Sequence, residues 1–173
     1  MISETEIKYI IWQNRAFWFY LAARLLYQKK QYSPAAFCSI QVIETLMKAT
    51  LIYWDKNFNP KAANHKIAEM LGTIKNKTEN GRSFDCPSYF YNDKRFQSVT
   101  RYPANGKGVL VPGSFLADLD SVFCSLVKLV PFQFNSQLKH ALSGKKKVDL
   151  NILRHKNSQI RDLREFLKVK LAK

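Results

Sequence analysis

Arg101-Tyr102-Pro103, followed by the Gly-rich turn Ala104-Asn105-Gly106-Lys107-Gly108, is the arrangement in this chain best suited to anion chemistry. A guanidinium clasps two phosphate oxygens through parallel hydrogen bonds, and a lysine adds a compact cation beside it. Arg95 lies a short way upstream, and Tyr102 offers a ring to a base or ribose. The same stretch holds no histidine, carboxylate or cysteine to move a proton. Asn105 can orient a ligand but exchanges no proton near neutral pH. Lys107 as a base would carry a penalty of roughly 4–5 kcal/mol for shedding its charge at pH 7. The residues therefore read as a ligand-binding set, Arg101, Tyr102, Lys107, Asn105 and Arg95, with no catalytic residue assigned. The competing reading for Arg101 is a salt bridge or carbonyl clamp that fixes the loop, and for Tyr102 and Phe96 simple packing.

Other chemistries find less support. Gly106-Lys107-Gly108 lacks the preceding glycine and the following Ser or Thr of a nucleotide P-loop. His65, His140 and His155 share no ligand spacing with each other or with a cysteine, so no metal and no cofactor is expected. Cys38, Cys86 and Cys124 are far apart and odd in number, which suits a reducing, cytoplasmic compartment. The N-terminus is acidic where a secretory signal is basic. The apolar stretch from Ala16 to Tyr27 is interrupted by Arg24 and is too short to span a bilayer, so no membrane partner is expected.

Charge points to an anionic partner. The 173 residues carry +15, and from Lys139 onward eleven Lys or Arg against three acidic residues account for +8 of it. If the chain from about Asp149 to Leu171 is one helix, Arg154, Asn157, Arg161, Arg164 and Lys168 share one face, because steps of three, four and seven return to nearly the same azimuth. Arg154, Arg161, Arg164 and Lys168 are thus candidate nucleic-acid contacts; the plain alternative is a solvated face.

The elements that must position these groups are helical. Ser3-Glu4-Thr5-Glu6 has capping-box spacing and opens a helix to about Lys30. Trp12, Ala16, Phe19, Ala23 and Leu26 mark one apolar side, with Phe17, Trp18, Leu21 and Leu25 on the other, so the helix needs two coverings. One comes from its neighbours; the second is either the rest of the chain or a partner subunit. Ser33-Pro34 reads as cap and first helical position of a second helix to about Asp55, with Glu44 and Lys48 as a surface pair. Asn64 is placed as the cap of a third helix, with His65 as a partly exposed residue in its first turn. Thr78 to Gly113 is a long irregular segment rich in aromatics, with a short helix possible from Asn92 to about Thr100 and a β-like fragment from Gly106 to Pro112. Ser114 caps a helix with Phe115, Leu116, Leu119, Val122, Phe123, Leu126 and Val127 on its apolar face, closed by Pro131. A short helix from about Asn135 to Leu142 precedes the last one. The fold class is all-α, a single domain over residues 1–173 built as an up-and-down bundle of four to five main helices with a long irregular loop, and residues 145–173 as a basic C-terminal helix.

The order of these pieces carries a resemblance. A long aromatic helix, Tyr32-Ser33-Pro34-Ala35-Ala36-Phe37 leading into Ile43-Glu44-Thr45-Leu46-Met47-Lys48-Ala49, then His65-Lys66-Ile67, then Arg101-Tyr102-Pro103 before another long helix, resembles the HEPN domain over about residues 12 to 130. The resemblance implies a helical bundle, commonly a homodimer, that binds nucleotide or RNA, with some members pairing with a small nucleotidyltransferase and many acting as metal-independent ribonucleases or toxins. In those nucleases an arginine is followed four to six residues later by a histidine. Arg101 matches that arginine, while Asn105, Gly106 or Lys107 stands at the histidine position. The expectation is a nucleotide- or RNA-binding module that does not cut; a ribonuclease with a replaced base, or a subunit docking a nucleotidyltransferase-type partner, is the alternative.

Overall fold

A computed structural model of the chain describes residues 4–78, 85–92, 111–131 and 137–168, the first four of these by backbone alone. Among them are seven α-helices, one 3-10 turn at Ser88–Phe90 and no strand. The helices are α1 (Glu4–Gln28), α2 (Tyr32–Trp54), α3 (Ile67–Lys77), α4 (Phe115–Val127), α5 (Gln137–Leu142), α6 (Lys147–Arg154) and α7 (Ile160–Phe166). The fold is the all-α bundle that the helical periodicity predicts. The Ser3 cap, most of the Asn92–Thr100 helix and the Gly106–Pro112 fragment, except for its last two residues, lie outside the described residues.

α1 and α2 form the frame. Three residues join them, so two long helices in contact along their length must run antiparallel. The link closes as a Schellman cap: Gln31 N donates to Leu26 O and Lys30 N to Tyr27 O, both at 2.9 Å, with Lys30 at φ 59°. A lysine fills the left-handed position where glycine is usual. α2 begins at Tyr32 with Gln31 as its cap residue, one turn-fraction ahead of the expected Ser33-Pro34 start. Pro34 still falls in the first turn, where its missing N–H leaves no bond unmade. α2 passes a length-and-hydropathy test for crossing a membrane that Ala16–Tyr27 was expected to approach most closely, yet 83% of its apolar window is buried within the protein. It is the core helix, packed against α1, α3 and α4.

The two-sided character of α1 is met only in part by the described chain. One side lies on α2, and α4, α5 and α6 pack elsewhere around it. Ala16, Phe17, Tyr20, Leu21, Ala23 and Arg24 are buried, whereas Trp18 and Leu25, expected on the second apolar side, remain exposed together with Ile11. All seven apolar residues predicted on α4 are buried.

Two other expectations change. α3 starts at Ile67, with Lys66 as its cap residue; Asn64 sits at φ 44° in the preceding turn, and His65 comes before the helix rather than within it. The single C-terminal helix is two helices, broken between His155 and Gln159, with Lys156 at φ 50°.

The break has a visible cause. Arg24 is fully buried and reaches out of α1 to the end of α6: its Nε donates to Ile152 O at 3.0 Å, its Nη2 to His155 O, and its Nη1 to Asp120 Oδ1 of α4. The guanidinium thus satisfies carbonyls that a continuing helix would have used. Tyr20 donates to the same Asp120 oxygen at 2.5 Å and stacks on Phe123, ring centroids 3.8 Å apart. Asn157 Nδ2 donates to the Tyr20 hydroxyl at 3.0 Å, while its Oδ1 accepts from Gln159 N at 3.0 Å, turning the chain into α7. Burial pushes the Tyr20 hydroxyl well above its usual range, with Asp120 adding to it. Burial likewise raises the Asp120 carboxyl, against the pull of Arg24.

Removing one member of such a pair strands the other in an apolar interior. Arg24→Ala is expected to cost about 3–5 kcal/mol in urea unfolding, and to speed amide exchange across α6 and α7 more than across α2. The three thiols give a second check. Burial pushes Cys124 and Cys86 up to about 12 and raises Cys38. With a thiol at that value, about one molecule in ten thousand is thiolate at pH 8, so an aromatic disulfide reagent should leave Cys86 and Cys124 unlabelled in the native protein and label all three cysteines once urea unfolds it.

Candidate functional site

Among the described residues two polar clusters interrupt the apolar core, and they differ in access to solvent. The Arg24 cluster is closed. The other begins on α2, where Glu44 and Lys48 stand one turn apart and pair at 2.8 Å. The expected surface pair is in fact a buried one, with side chains only 4% and 6% exposed, because α1 and the turn before α3 cover that side of α2. Lys48 lies over the Trp12 ring of α1, 5.1 Å from its centroid, and Arg15 approaches the same ring at 6.0 Å.

His65 completes this cluster from the turn between α2 and α3. Its Nδ1 lies 2.8 Å from Glu44 Oε2. A carboxylate in a salt bridge only accepts, so the imidazole donates through Nδ1, which leaves Nε2 as the nitrogen open to exchange. The His65 side chain is 49% exposed, and the carboxylate behind it is almost wholly buried. The turn that presents it is built locally: Asn59 Oδ1 accepts from Lys61 N at 3.0 Å and Ala62 N at 3.2 Å, and Asn64 adopts the left-handed conformation that reverses the chain into α3. On the far side of this turn a groove of about 410 Å³ runs between α2 and α3, floored by Leu51, Phe58 and Met70 and edged by Asp55, Lys66 and Glu69.

Of the residues singled out in the sequence, Arg95, Arg101, Tyr102, Asn105 and Lys107 lie outside the described residues. The segment that carries them is flanked by well-packed chain. On the upstream side Cys86 and Phe90 are buried, and Tyr89 donates to Asp118 Oδ2 of α4 at 2.9 Å. On the downstream side Ser114 Oγ donates to that same oxygen at 2.8 Å. Burial, reinforced by Asp118, raises the Tyr89 hydroxyl. Phe90 and Phe115 pack with ring centroids 5.9 Å apart, so both flanks share one aromatic floor on α4.

The proposed basic ridge does not survive as one helical face. Arg154 ends α6; Arg161 and Arg164 belong to α7; Lys168 follows α7 at φ 51°. Helical azimuth is conserved only along an unbroken helix, and the break at residues 155–159 resets it. Asn157, expected on that ridge, is buried against Tyr20 instead. Arg161 is exposed and pairs with Glu165 at 3.2 Å, an i,i+4 contact worth only about 0.3–0.5 kcal/mol. The C-terminal charge remains on the surface as Lys145, Lys146, Lys147, Arg154, Lys156, Arg161 and Lys168, all exposed, but distributed over two helices and the turns that flank them.

Among the described residues no three His, Cys, Asp or Glu side chains gather to hold a metal ion. The spacing in the sequence pairs Glu44 with Lys48 but gives no sign that His65 joins them, since a contact across 21 residues leaves no periodic trace. Because Lys48 and His65 both depend on one carboxylate, Glu44→Ala is expected to destabilise the fold by about 3–5 kcal/mol in chemical unfolding, with Glu44→Gln costing less because the amide keeps one acceptor oxygen.

No curated protein and no solved structure matches the chain. The family model for the HEPN domain matches residues 9–105, more than half of the chain, and takes in most of α1, α2, the His65 turn, α3 and the stretch up to Asn105. With the helical architecture and the order of motifs in agreement, the chain belongs to the HEPN domain family.

Proposed function

We propose that this chain is a nucleotide- or RNA-binding module in which Arg101 and Lys107 hold phosphate, Arg95 and Asn105 assist, and Tyr102 lies against a base or ribose. The observation that carries the reading is the charge: +15 over 173 residues in a member of a family of nucleotide-binding and ribonuclease-type modules. The exposed lysines and arginines between Lys145 and Lys168 extend the cationic surface available to a phosphate backbone, with Arg154, Arg161 and Lys168 as exposed contacts and the half-buried Arg164 beside them. Binding without cleavage by this loop follows from its residues, because Asn105, Gly106 and Lys107 stand where the nuclease motif has its histidine. The resemblance further implies a homodimer, and the apolar residues Ile11, Trp18 and Leu25, seven apart on the outside of α1, are surface that a second copy would cover.

Titration of labelled single-stranded RNA at rising salt tests the reading. Contact through several phosphates should lower affinity steeply between 50 and 200 mM salt, roughly in proportion to a power of the salt concentration. The Arg101→Ala/Lys107→Ala double variant should bind more weakly and reduce the salt slope by about two. Absence of binding at low salt, or an unchanged slope in the double variant, would count against it.

A further inference from the structure

The outward side of α1 has the spacing of a helix-docking seam. Ile11, Trp18 and Leu25 recur every seven residues and are 60%, 47% and 41% exposed. Exposed Arg15 stands between the first two, and Ala22 between the second and third. Exposed Lys29 follows the last and keeps the helical bonding, its N–H donating to Leu25 O at 3.0 Å. Steps of four and three thus alternate unbroken from Ile11 to Lys29, over about 27 Å of helix, and place these side chains along one line. Apolar residues at one heptad position, with charge at the other, form the pattern by which one helix selects another.

The cations decide what fits. Among the described residues no carboxylate pairs with Arg15 or Lys29, and from Lys8 to Lys29 the sequence holds no Asp or Glu. Lys146, in the turn before α6, brings its ammonium to 5.2 Å from the Trp18 ring centroid, with Lys145 and Lys147 exposed on either side of it in sequence. Ile11, Trp18 and Leu25 alone would suit a second copy, but the cations set among them do not. A second copy brings no carboxylate to the middle of the seam and adds another +15. A bilayer also fits less well, since cations in line with the apolar side chains would have to enter to the same depth. A phosphate backbone finds nothing to pair with at Ile11 and Leu25.

We propose that the outer face of α1 docks an amphipathic helix of a different, acidic protein, one with apolar residues at heptad spacing and Asp or Glu between them. Trp18 is the central anchor, and Arg15, Lys29 and Lys146 pair with the partner's carboxylates. The inference is independent of the loop around Arg101 and of RNA binding.

Two synthetic helical peptides serve as probes, alike in their leucines at heptad spacing and differing only in Glu or Lys at the flanking positions. Fluorescence anisotropy with the full chain at physiological salt should show binding of the Glu peptide and none of the Lys peptide. Trp18→Ala should weaken the Glu peptide by roughly 30-fold. Arg15→Glu/Lys29→Glu should weaken it by about tenfold or more and let the Lys peptide bind instead. Lys75→Glu/Lys77→Glu, the same charge change placed on α3, should alter binding by less than about threefold, which separates a seam from general attraction to a basic chain. No binding of the Glu peptide, equal affinity for the two peptides, or equal loss in the two double variants would overturn the proposal. So would a dimer of the chain alone, seen in sedimentation and dissociated by Trp18→Ala, because the face would then belong to a second copy.

Discussion

The bundle is organised around one buried cation. Arg24 has no exposed surface, and taking a guanidinium out of water is costly unless each of its donors finds an acceptor. Here Asp120 of α4 neutralises it, and the carbonyls of Ile152 and His155 accept its remaining hydrogen bonds. Those three acceptors come from two distant parts of the chain, so α1, α4 and the end of α6 can be buried together only in one register. The specificity is directional where apolar packing is not. Tyr20 and Asn157 extend it: one hydroxyl bridges Asp120 and Asn157, and Asn157 in turn starts the turn into α7.

The second buried charge cluster works differently. Glu44 and Lys48 are local on α2 and would pair on any helix, but only the covering by α1 and the turn before α3 removes them from water. Once there, the carboxylate has a second oxygen to satisfy, and His65 supplies the donor. The closed cluster fixes the fold, whereas the open one exposes a polarised imidazole at the surface. Similar side-chain chemistry thus sits in two settings, one sealed from solvent and one open to it.

The exposed charge concerns a different part of the molecule. The aromatic floor made by Tyr89, Phe90 and Phe115 anchors both flanks of the segment that contains Arg101, with Asp118 accepting a hydrogen bond from each side. The exposed cations after Lys145 act at longer range and are screened by salt.

The sequence by itself determined the helices and their apolar faces. Periodicity and breakers are local: the face of α4 from Phe115 to Val127, the long runs of α1 and α2, and the all-α class could be read from spacing alone. The order of motifs along the chain also sufficed for the family resemblance. Only the tertiary structure decided where the polar residues go. Arg24 looked like an interruption of an apolar stretch, Glu44 and Lys48 like a surface pair, and Arg154 to Lys168 like one basic face, since each of those inferences assumes that a residue's surroundings follow from its own helix. Arg24 instead takes carbonyls from residues more than a hundred positions away and breaks the C-terminal helix in doing so. Partners at that separation leave no period in the sequence, because they are chosen by which buried donors and acceptors remain unmatched when the helices pack.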